Sequence, residues 1–144
     1  MTSDSYNNPL PIPDADTAPF WEACQRHSLI AQQCLDCQEF RWPPQDFCPG
    51  CLSRRFEWCA LSEHGVVIAH VTVERFGRSF SAEVPFVIAH VAIDQTDGKV
   101  VLIGNLMGCP PEEVRVGLAV DVVFDDVTPM VTLPKFRRSE IDRK

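Results

Sequence analysis

The hydrophobic and polar positions of this chain follow two different patterns, and the change falls near Gly65. Before it, apolar side chains recur at helical spacing over about 17–27, which predicts a short amphipathic helix. Cys24 and His27 belong to this helix, and we expect them to pack rather than to act as metal ligands. Residues 1–15 are rich in proline and hold little to bury, so an extended, flexible lead-in is predicted there.

From Gly65 onward, short runs rich in β-branched residues predict strands. Two of these runs, Val66–Val73 and Phe86–Ile93, each contain the pentapeptide Val-Ile-Ala-His-Val, and two neighbouring strands of one sheet explain the repeat. A helical turn is expected at 109–114. Further strands are predicted at Val100–Met107, Val120–Phe124 and Met130–Leu133. Five short strands with a helical turn after the third fit a small closed barrel of the OB type.

Two Cys-x-x-Cys pairs, Cys34 with Cys37 and Cys48 with Cys51, are separated by ten residues. Each pair places two thiolates on a tight turn, and together they supply the four-sulfur shell that Zn²⁺ prefers. Four protein ligands leave no open position, so we expect one structural zinc ion. Two disulfides or two redox-active pairs are the alternative interpretations of this spacing. Short predicted strands flank the pairs and complete a zinc ribbon: Leu29–Gln33, Phe40–Trp42 and Phe56–Trp58.

These elements predict a mainly β fold, with a short N-terminal helix and zinc ribbon followed by a five-stranded OB-fold barrel. The boundaries follow from the same patterns. The predicted division is a flexible lead-in at 1–15, the helix and zinc ribbon at 16–60, the barrel at 61–136 and a basic tail at 137–144.

The chain carries a formal net charge of −7 at pH 7. Because nucleic-acid binding needs clustered Lys and Arg to neutralise phosphates, this charge argues against nucleic acid as the main partner. A single-stranded nucleic-acid-binding OB-fold protein is the alternative function, since aromatic side chains of the ribbon would offer a platform for stacking bases. These aromatic residues are Phe40, Trp42, Phe47, Phe56 and Trp58.

The number of cysteines and the composition of the N-terminus indicate the cellular compartment. Cys24, Cys59 and Cys109 remain after four cysteines are assigned to metal, and this odd number, with no signal peptide visible in the polar N-terminus, predicts a reducing cytoplasm. No apolar run is long enough to cross a bilayer, so no membrane association is expected.

The sequence has no Gly-rich phosphate loop, no Gly-x-Ser-x-Gly elbow and no His-Glu-x-x-His motif. His70 and His90 occupy equivalent points of the repeated pentapeptide, and we favour packing over a second metal site or a general base. Cys109 precedes the predicted helical turn, whose N-terminus would favour a thiolate, but no base is identified for it. Binding or scaffolding is therefore the preferred function.

Further motifs extend from about Pro19 to Arg138. Beside the two cysteine pairs they are Phe20-Trp21-Glu22, Pro43-Pro44, Trp58, Gly65-Val66-Val67, Pro85-Phe86-Val87, Gly104-Asn105-Leu106, Pro111-Glu112-Glu113-Val114-Arg115-Val116-Gly117 and Thr132-Leu133-Pro134-Lys135-Phe136. In these motifs the chain resembles a family of small acyl-CoA-associated proteins, formerly a domain of unknown function, with an N-terminal helix, a rubredoxin-like zinc ribbon and a C-terminal OB-fold. One departure is Leu52-Ser53, where relatives often have Gly-Ser.

The resemblance implies a non-catalytic accessory or scaffold subunit of a thiolase-superfamily acyl-CoA enzyme complex. The members that it looks most like are paired with thiolase-like aldolases of steroid side-chain degradation, which cleave a β-hydroxyacyl-CoA by retro-aldol chemistry. It implies a hetero-oligomer whose thiolase-like subunit carries the catalytic residues, with an acyl-CoA hydratase as a further candidate partner. An independent acyl-CoA hydrolase using Cys109 or His90 is the third interpretation.

Arginine side chains are the expected contacts for CoA or the partner, because a guanidinium pairs bidentately with phosphate oxygens. Two arginines fall in the long connection between the first two barrel strands, beside two phenylalanines, and this composition is enriched at interface hot spots. Two more follow the predicted barrel. The predicted partner or CoA-ester contacts are Arg75, Phe76, Arg78, Phe80, Arg137 and Arg138.

Overall fold

The computed structural model of the chain describes residues 6, 8–75 and 84–140. The predicted fold class is confirmed: a short N-terminal helix and a ribbon sheet precede a five-stranded barrel. A short 3₁₀ turn, Pro111–Glu113, follows the third barrel strand. The helix and strands in chain order are α1 (Ala18–Gln25), β1 (Ile30–Cys34), β2 (Phe40–Arg41), β3 (Phe56–Ala60), β4 (His64–Val73), β5 (Phe86–Ile93), β6 (Val101–Met107), β7 (Ala119–Asp126) and β8 (Thr132–Arg138).

The ribbon is a three-stranded antiparallel sheet in the order β2-β1-β3. The last residue of the central strand, Cys34, pairs with Phe56 of β3, and the preceding residue, Gln33, pairs with Phe40 of β2. The first cysteine therefore ends a strand that has neighbours on both sides. Ladder hydrogen bonds to those neighbours fix the backbone from which its sulfur projects.

The barrel closes in the order β4-β5-β6-β8-β7, with β4 also paired to β7. Neighbouring strands are antiparallel except β6 and β8, which run parallel. A 3₁₀ turn of three residues stands where the sequence predicted a helical turn, between the third and fourth barrel strands. Strand number and helical-turn position are those of an OB-fold.

The two copies of the repeated pentapeptide lie side by side on β4 and β5. A β-bulge interrupts their register between Val67 and Ala69, so that Ala69 pairs with His90 while His70 pairs with Ala89. Directly opposite residues share a face and successive residues alternate, so the two histidines lie on opposite faces of the hairpin. The idea of a metal site shared by His70 and His90 is therefore wrong.

The last strand differs from its prediction at Met130–Leu133, which ended before Pro134. Strand β8 includes this proline and continues to Arg138. Pro134 pairs with Phe124 of β7, and β8 meets β6 only from Phe136 onward. A proline lacks the N–H that a second neighbour would bind, so it is tolerated where the strand has one neighbour.

Helix, ribbon and barrel share one hydrophobic core. Phe20 of α1 is buried, and its ring centroid lies 4.5 Å from that of Trp42 and 5.0 Å from that of Trp21. The contact with Trp42 joins the helix to the residue that follows β2. Further buried members of the core, drawn from all three parts, are Cys24, Leu29, Ala31, Val67, Val91, Val120 and Phe136.

Gly65 is required where β4 passes close to β5. A Cβ at this position would lie 2.6 Å from the Ala92 carbonyl oxygen and 2.6 Å from Val91 Cγ1. We expect Gly65→Ala to lower the free energy of unfolding by roughly 1–3 kcal/mol, because the backbone must shift to admit the methyl group. Urea denaturation measures the change. Ala69→Val, which adds carbons to an exposed position of the same strand, is the control, and equal midpoints for both variants would contradict this close approach.

Candidate functional site

The two Cys-x-x-Cys segments form the same turn. In each, the first cysteine donates its backbone N–H to the carbonyl oxygen five residues later, Cys34 to Glu39 at 2.9 Å and Cys48 to Ser53 at 2.8 Å. Amides inside the turns donate to sulfur: the Gly50 N–H lies 3.3 Å from Cys48 Sγ, and two N–H groups lie 3.4 and 3.5 Å from Cys34 Sγ. These bonds orient the first sulfur of each pair.

The residue after each pair has a left-handed backbone, with φ of 71° at Gln38 and 67° at Leu52. Its N–H closes the turn on the carbonyl oxygen of the first cysteine, at 3.1 and 2.8 Å respectively. This conformation favours glycine, because a Cβ is strained there. Leu52 therefore stands at a position where the turn favours glycine.

The four cysteine sulfurs come together between the turns, all within 4.8 Å of one another. The Sγ atoms of Cys34 and Cys51 lie 3.6 Å apart, and those of Cys37 and Cys48 lie 3.5 Å apart. These distances exceed a disulfide bond of about 2.05 Å. They are close to the edge of about 3.8 Å that a tetrahedron with Zn–S near 2.3 Å requires. The donor set and its geometry therefore fit a tetrahedral zinc ion.

Local hydrogen bonds divide the protons unevenly among these sulfurs. The N–H of Cys37 lowers the pKa of Cys34 to about 6, and the N–H of Cys51 lowers the pKa of Cys48. For Cys37 and Cys51, the following backbone N–H groups act in the same direction. Burial and the neighbouring sulfurs outweigh them and raise both pKa values, that of Cys37 to about 12. A cation among the sulfurs would favour ionisation of all four.

A polar bracket joins the two turns beside the sulfurs. Asp36, inside the first pair, accepts a hydrogen bond from the Arg55 guanidinium at 2.8 Å and one from the Ser53 hydroxyl. These bonds lower the pKa of the Asp36 carboxyl. The Leu35 N–H also donates to the Arg55 carbonyl oxygen at 3.0 Å. The sequence analysis missed this bracket, although an Asp within one pair and Ser and Arg after the other were its signal.

Arg41 is a buried cation in the ribbon, only 2% exposed. Its guanidinium carbon lies 4.7 Å from the centroid of the Phe56 ring, and its three nitrogens have no hydrogen-bond partner among the described residues. The cation–π contact offsets part of the cost of burying the charge. No sequence signal pointed to it, since arginines ordinarily keep the charged head in water.

The ribbon aromatics do not form an open stacking platform. Phe40, Trp42 and Trp58 pack against the core, and the Arg41 guanidinium lies over the ring of Phe56. Phe47 is the member that is 44% exposed. The observation that supported the nucleic-acid alternative is therefore removed, because bases need exposed aromatic faces on which to stack.

The end of α1 packs on the barrel. His27 Nε2 lies 3.0 Å from Asp126 Oδ1, and the His27 ring stacks on Phe124 with centroids 5.3 Å apart. Thr132 donates its hydroxyl to the same carboxylate at 2.5 Å, and these hydrogen bonds lower the pKa of Asp126. Burial raises the pKa of Cys24 to about 12. Cys24 and His27, which were expected to pack rather than to bind metal, are thus packing residues, and His27 contacts the barrel.

The predicted arginine contacts differ in their exposure to solvent and in their ion pairs. Arg75, just after β4, is exposed. Arg137 and Arg138 belong to β8: Arg137 is exposed and lies opposite Asp121 in register, and Arg138 forms an ion pair with Glu113 at 2.8 Å. The other predicted contacts, Phe76, Arg78 and Phe80, lie outside the described residues.

The residues of the hydrolase interpretation are not arranged as a nucleophile and its base. Cys109 is 8% exposed, and its Sγ lies 3.7 Å from the Pro110 carbonyl oxygen. His90 pairs with Ala69 and Ile103 on the outward face of β5. Within the described part of the chain, no basic side chain hydrogen-bonds to Cys109.

Among the described residues, no helix is long and apolar enough to span a membrane.

Two family models match consecutive parts of the chain. Residues 21–57 match the family model described as the ChsH2 rubredoxin-like zinc ribbon domain, and residues 58–125 match the ChsH2 C-terminal OB-fold domain. The two matched segments meet at residues 57 and 58, within β3.

Two relatives show how far the similarity extends. A probable enoyl-CoA hydratase alpha subunit of Thermomonospora curvata is 32% identical over 130 residues, which are 90% of this chain but only 39% of that relative's length. A DUF35 domain-containing scaffold protein of Methanocaldococcus jannaschii is 30% identical over 101 residues, 69% of this chain and 70% of the relative.

Solved structures agree with these relatives. A chain of the structure titled Ltp2-ChsH2(DUF35) aldolase superposes with a TM-score of 0.80 and 28% identity, covering 89% of this chain and 98% of that chain. A DUF35 protein from Sulfolobus solfataricus has the same fold, with a TM-score of 0.63 at 13% identity, covering 87% of this chain and 86% of that one. The chain therefore belongs to the DUF35 family, in the ChsH2 arrangement of a rubredoxin-like zinc ribbon followed by an OB-fold.

Proposed function

We propose that this chain is a non-catalytic accessory subunit that scaffolds a thiolase-superfamily acyl-CoA enzyme in a hetero-oligomeric complex. The similarity over 89% of the chain to the ChsH2(DUF35) component of an aldolase carries this proposal. The relatives named as scaffold proteins support it. The reaction that we propose for the complex is retro-aldol cleavage of a β-hydroxyacyl-CoA, steroid-derived or other. A hydratase-like second partner is supported by the name of the Thermomonospora relative.

The arrangement of the described side chains supports a partner that does the chemistry. Retro-aldol cleavage needs a base that removes the hydroxyl proton and a group that stabilises the resulting carbanion. Cys109 has no hydrogen-bonded base among the described residues, and His70 and His90 lie on opposite faces of their hairpin. We assign the catalytic residues to the thiolase-like subunit.

We also propose one structural zinc ion, held by Cys34, Cys37, Cys48 and Cys51. The sulfur positions fit a closed tetrahedral site, which would supply no reactive position for water or substrate. When bound, the metal would stabilise the end of the ribbon by joining the two turns. Its contribution would be to folding, because the strands around it bury little surface.

The complex can be tested by affinity purification of the tagged chain from its source cells. We expect a thiolase-superfamily protein to copurify, identified by mass spectrometry. We also expect a β-hydroxyacyl-CoA to be cleaved by the complex, with no CoA released by the chain alone. Release of CoA by the chain alone, or micromolar, salt-sensitive binding to single-stranded oligonucleotides, would contradict the proposal.

The zinc site can be tested without the partner. Protein purified without added zinc should hold about one equivalent of metal, measured by plasma emission spectrometry. Cys48→Ser should lose the metal and much of the thermal stability. Cys59→Ser is the matched control, because Cys59 is a half-buried ribbon cysteine outside the cluster. Well-folded wild-type protein with no metal would rule the site out.

The arginine contacts are a separate proposal. We expect the double substitution Arg75→Ala with Arg78→Ala to weaken binding of the partner or a CoA ester by roughly 2 kcal/mol, the cost of losing one hot-spot arginine. Metal content and melting temperature should not change. Arg54→Ala with Arg115→Ala, which removes two exposed arginines elsewhere, is the control in the same calorimetry. Equal affinity of the two double variants would remove this assignment, and Arg137→Ala would then test the contact on β8.

A further inference from the structure

The outer surface of the barrel is divided by charge. On β7 and β8 the outward positions pair Asp121 with Arg137 and Val123 with Lys135, and Lys135 also forms an ion pair with Asp125 at 2.7 Å. This is the charged, hydrated face that a soluble barrel normally presents. The opposite side, formed by β4, β5 and β6, has a different composition.

Two rows of directly paired residues cross β4, β5 and β6 on the outward side. They are Ala69, His90 and Ile103, and Val71, Ile88 and Asn105. We call these six residues the β4–β5–β6 face. It contains no Lys, Arg, Asp or Glu, yet Ile103 is 63% exposed and Val71 is 54% exposed. Strand alternation normally places polar residues outward when one face of a sheet is solvated, so Ala69, Val71, Ile88 and Ile103 break the rule.

A groove extends the β4–β5–β6 face at one end. It has a volume of about 800 Å³, and its walls include Ile88, Ile103 and Asn105 of the face and Phe86 and Met107 beside it. Lys135 of β8 and three residues of the N-terminal segment, Tyr6, Asn8 and Pro9, also line it. Met107 is itself 46% exposed. The face thus combines an uncharged sheet surface with a concavity that an apolar side chain of a partner can enter.

We propose that the β4–β5–β6 face is the surface on which the thiolase-superfamily subunit docks, through an apolar, uncharged patch of that subunit. This inference rests on the proposed function and names the site of its central contact. Interface centres are depleted of charged residues and enriched in apolar ones. Four of the six residues of this face are apolar, and none is Lys, Arg, Asp or Glu.

The occupant that fits is the partner subunit rather than a second copy of this chain. Each copy carries a net charge of −7, so two copies meeting face to face would repel one another. Three strands spaced about 4.8 Å apart and two rows of alternate residues give the face roughly 200 Å². This area is the centre of a standard interface of about 800 Å² per side, which needs a polar rim. Arg75 follows the end of β4 by two residues, and we assign it to that rim.

The test introduces a charge on the face and the same charge elsewhere. Ile103→Glu should weaken binding of the purified thiolase-superfamily subunit by about 100-fold, because the carboxylate would be buried without a partner. Val116→Glu is the control, since Val116 is exposed to 65%, nearly the same extent, on a loop outside the face. Its affinity should stay within about threefold of wild type. Val71→Glu repeats the test on another strand, and metal content and melting temperature verify that each variant folds.

The outcomes distinguish a failure of the proposed docking surface from a failure of the proposed function. Loss of binding in Ile103→Glu and Val71→Glu, with retention in Val116→Glu, supports the surface. If the subunit binds both face variants as it binds wild type, this surface is overturned while the proposed function stands. If no thiolase-superfamily subunit copurifies with the wild-type chain, both fail. Sedimentation velocity adds one outcome: a wild-type dimer that Ile103→Glu dissociates would assign the face to a second copy and overturn the proposal.

Discussion

The shared hydrophobic core is the constraint on which the rest of this structure depends. Phe20 of α1 packs on Trp42 at the ribbon, and buried residues of both join Val67 and Val91 of the barrel. A ribbon of three short strands buries little by itself, so its position relative to the barrel is set by this common core. At the other end of α1, His27 stacks on Phe124 of β7 and holds the helix against the barrel.

The cysteine turns need another source of stability, because they extend beyond the core. The sulfurs, the Asp36–Arg55 ion pair and the backbone hydrogen bond from Leu35 to Arg55 join the turns outside the hydrophobic core. Polar bonds at an exposed site are individually weak. A metal that joins four side chains would supply the additional stabilisation, and this explains why a small ribbon keeps four cysteines at one end rather than enlarging its core.

The features that the sequence predicted are those encoded by neighbouring residues. Spacing alone brought the four cysteines together correctly, and β-branched runs located the five barrel strands. The errors arose where the answer depends on residues distant in sequence. Pro134 argued for the end of a strand, but only the absence of a β6 neighbour at that point makes it tolerable. The bulge near Val67, which separates His70 from His90, and the burial of Arg41 over Phe56 likewise depend on tertiary pairing.

The apolar composition of β4 and β5 carries information about burial that strand prediction alone does not use. Both alternating sets of positions are mostly apolar in these strands, with His70, Thr72 and His90 among the exceptions, and such a composition is typical of strands buried on two faces. In this closed barrel the inward set, which includes Val67 and Val91, is buried in the core, whereas in the outward set Val71 is exposed and Ile88 is half-buried. A strand that is built for two buried faces but has one covered face needs a partner for the other. The barrel itself therefore supplies a physical reason, beside the relatives' names, to expect a partner on the outward side of β4 and β5.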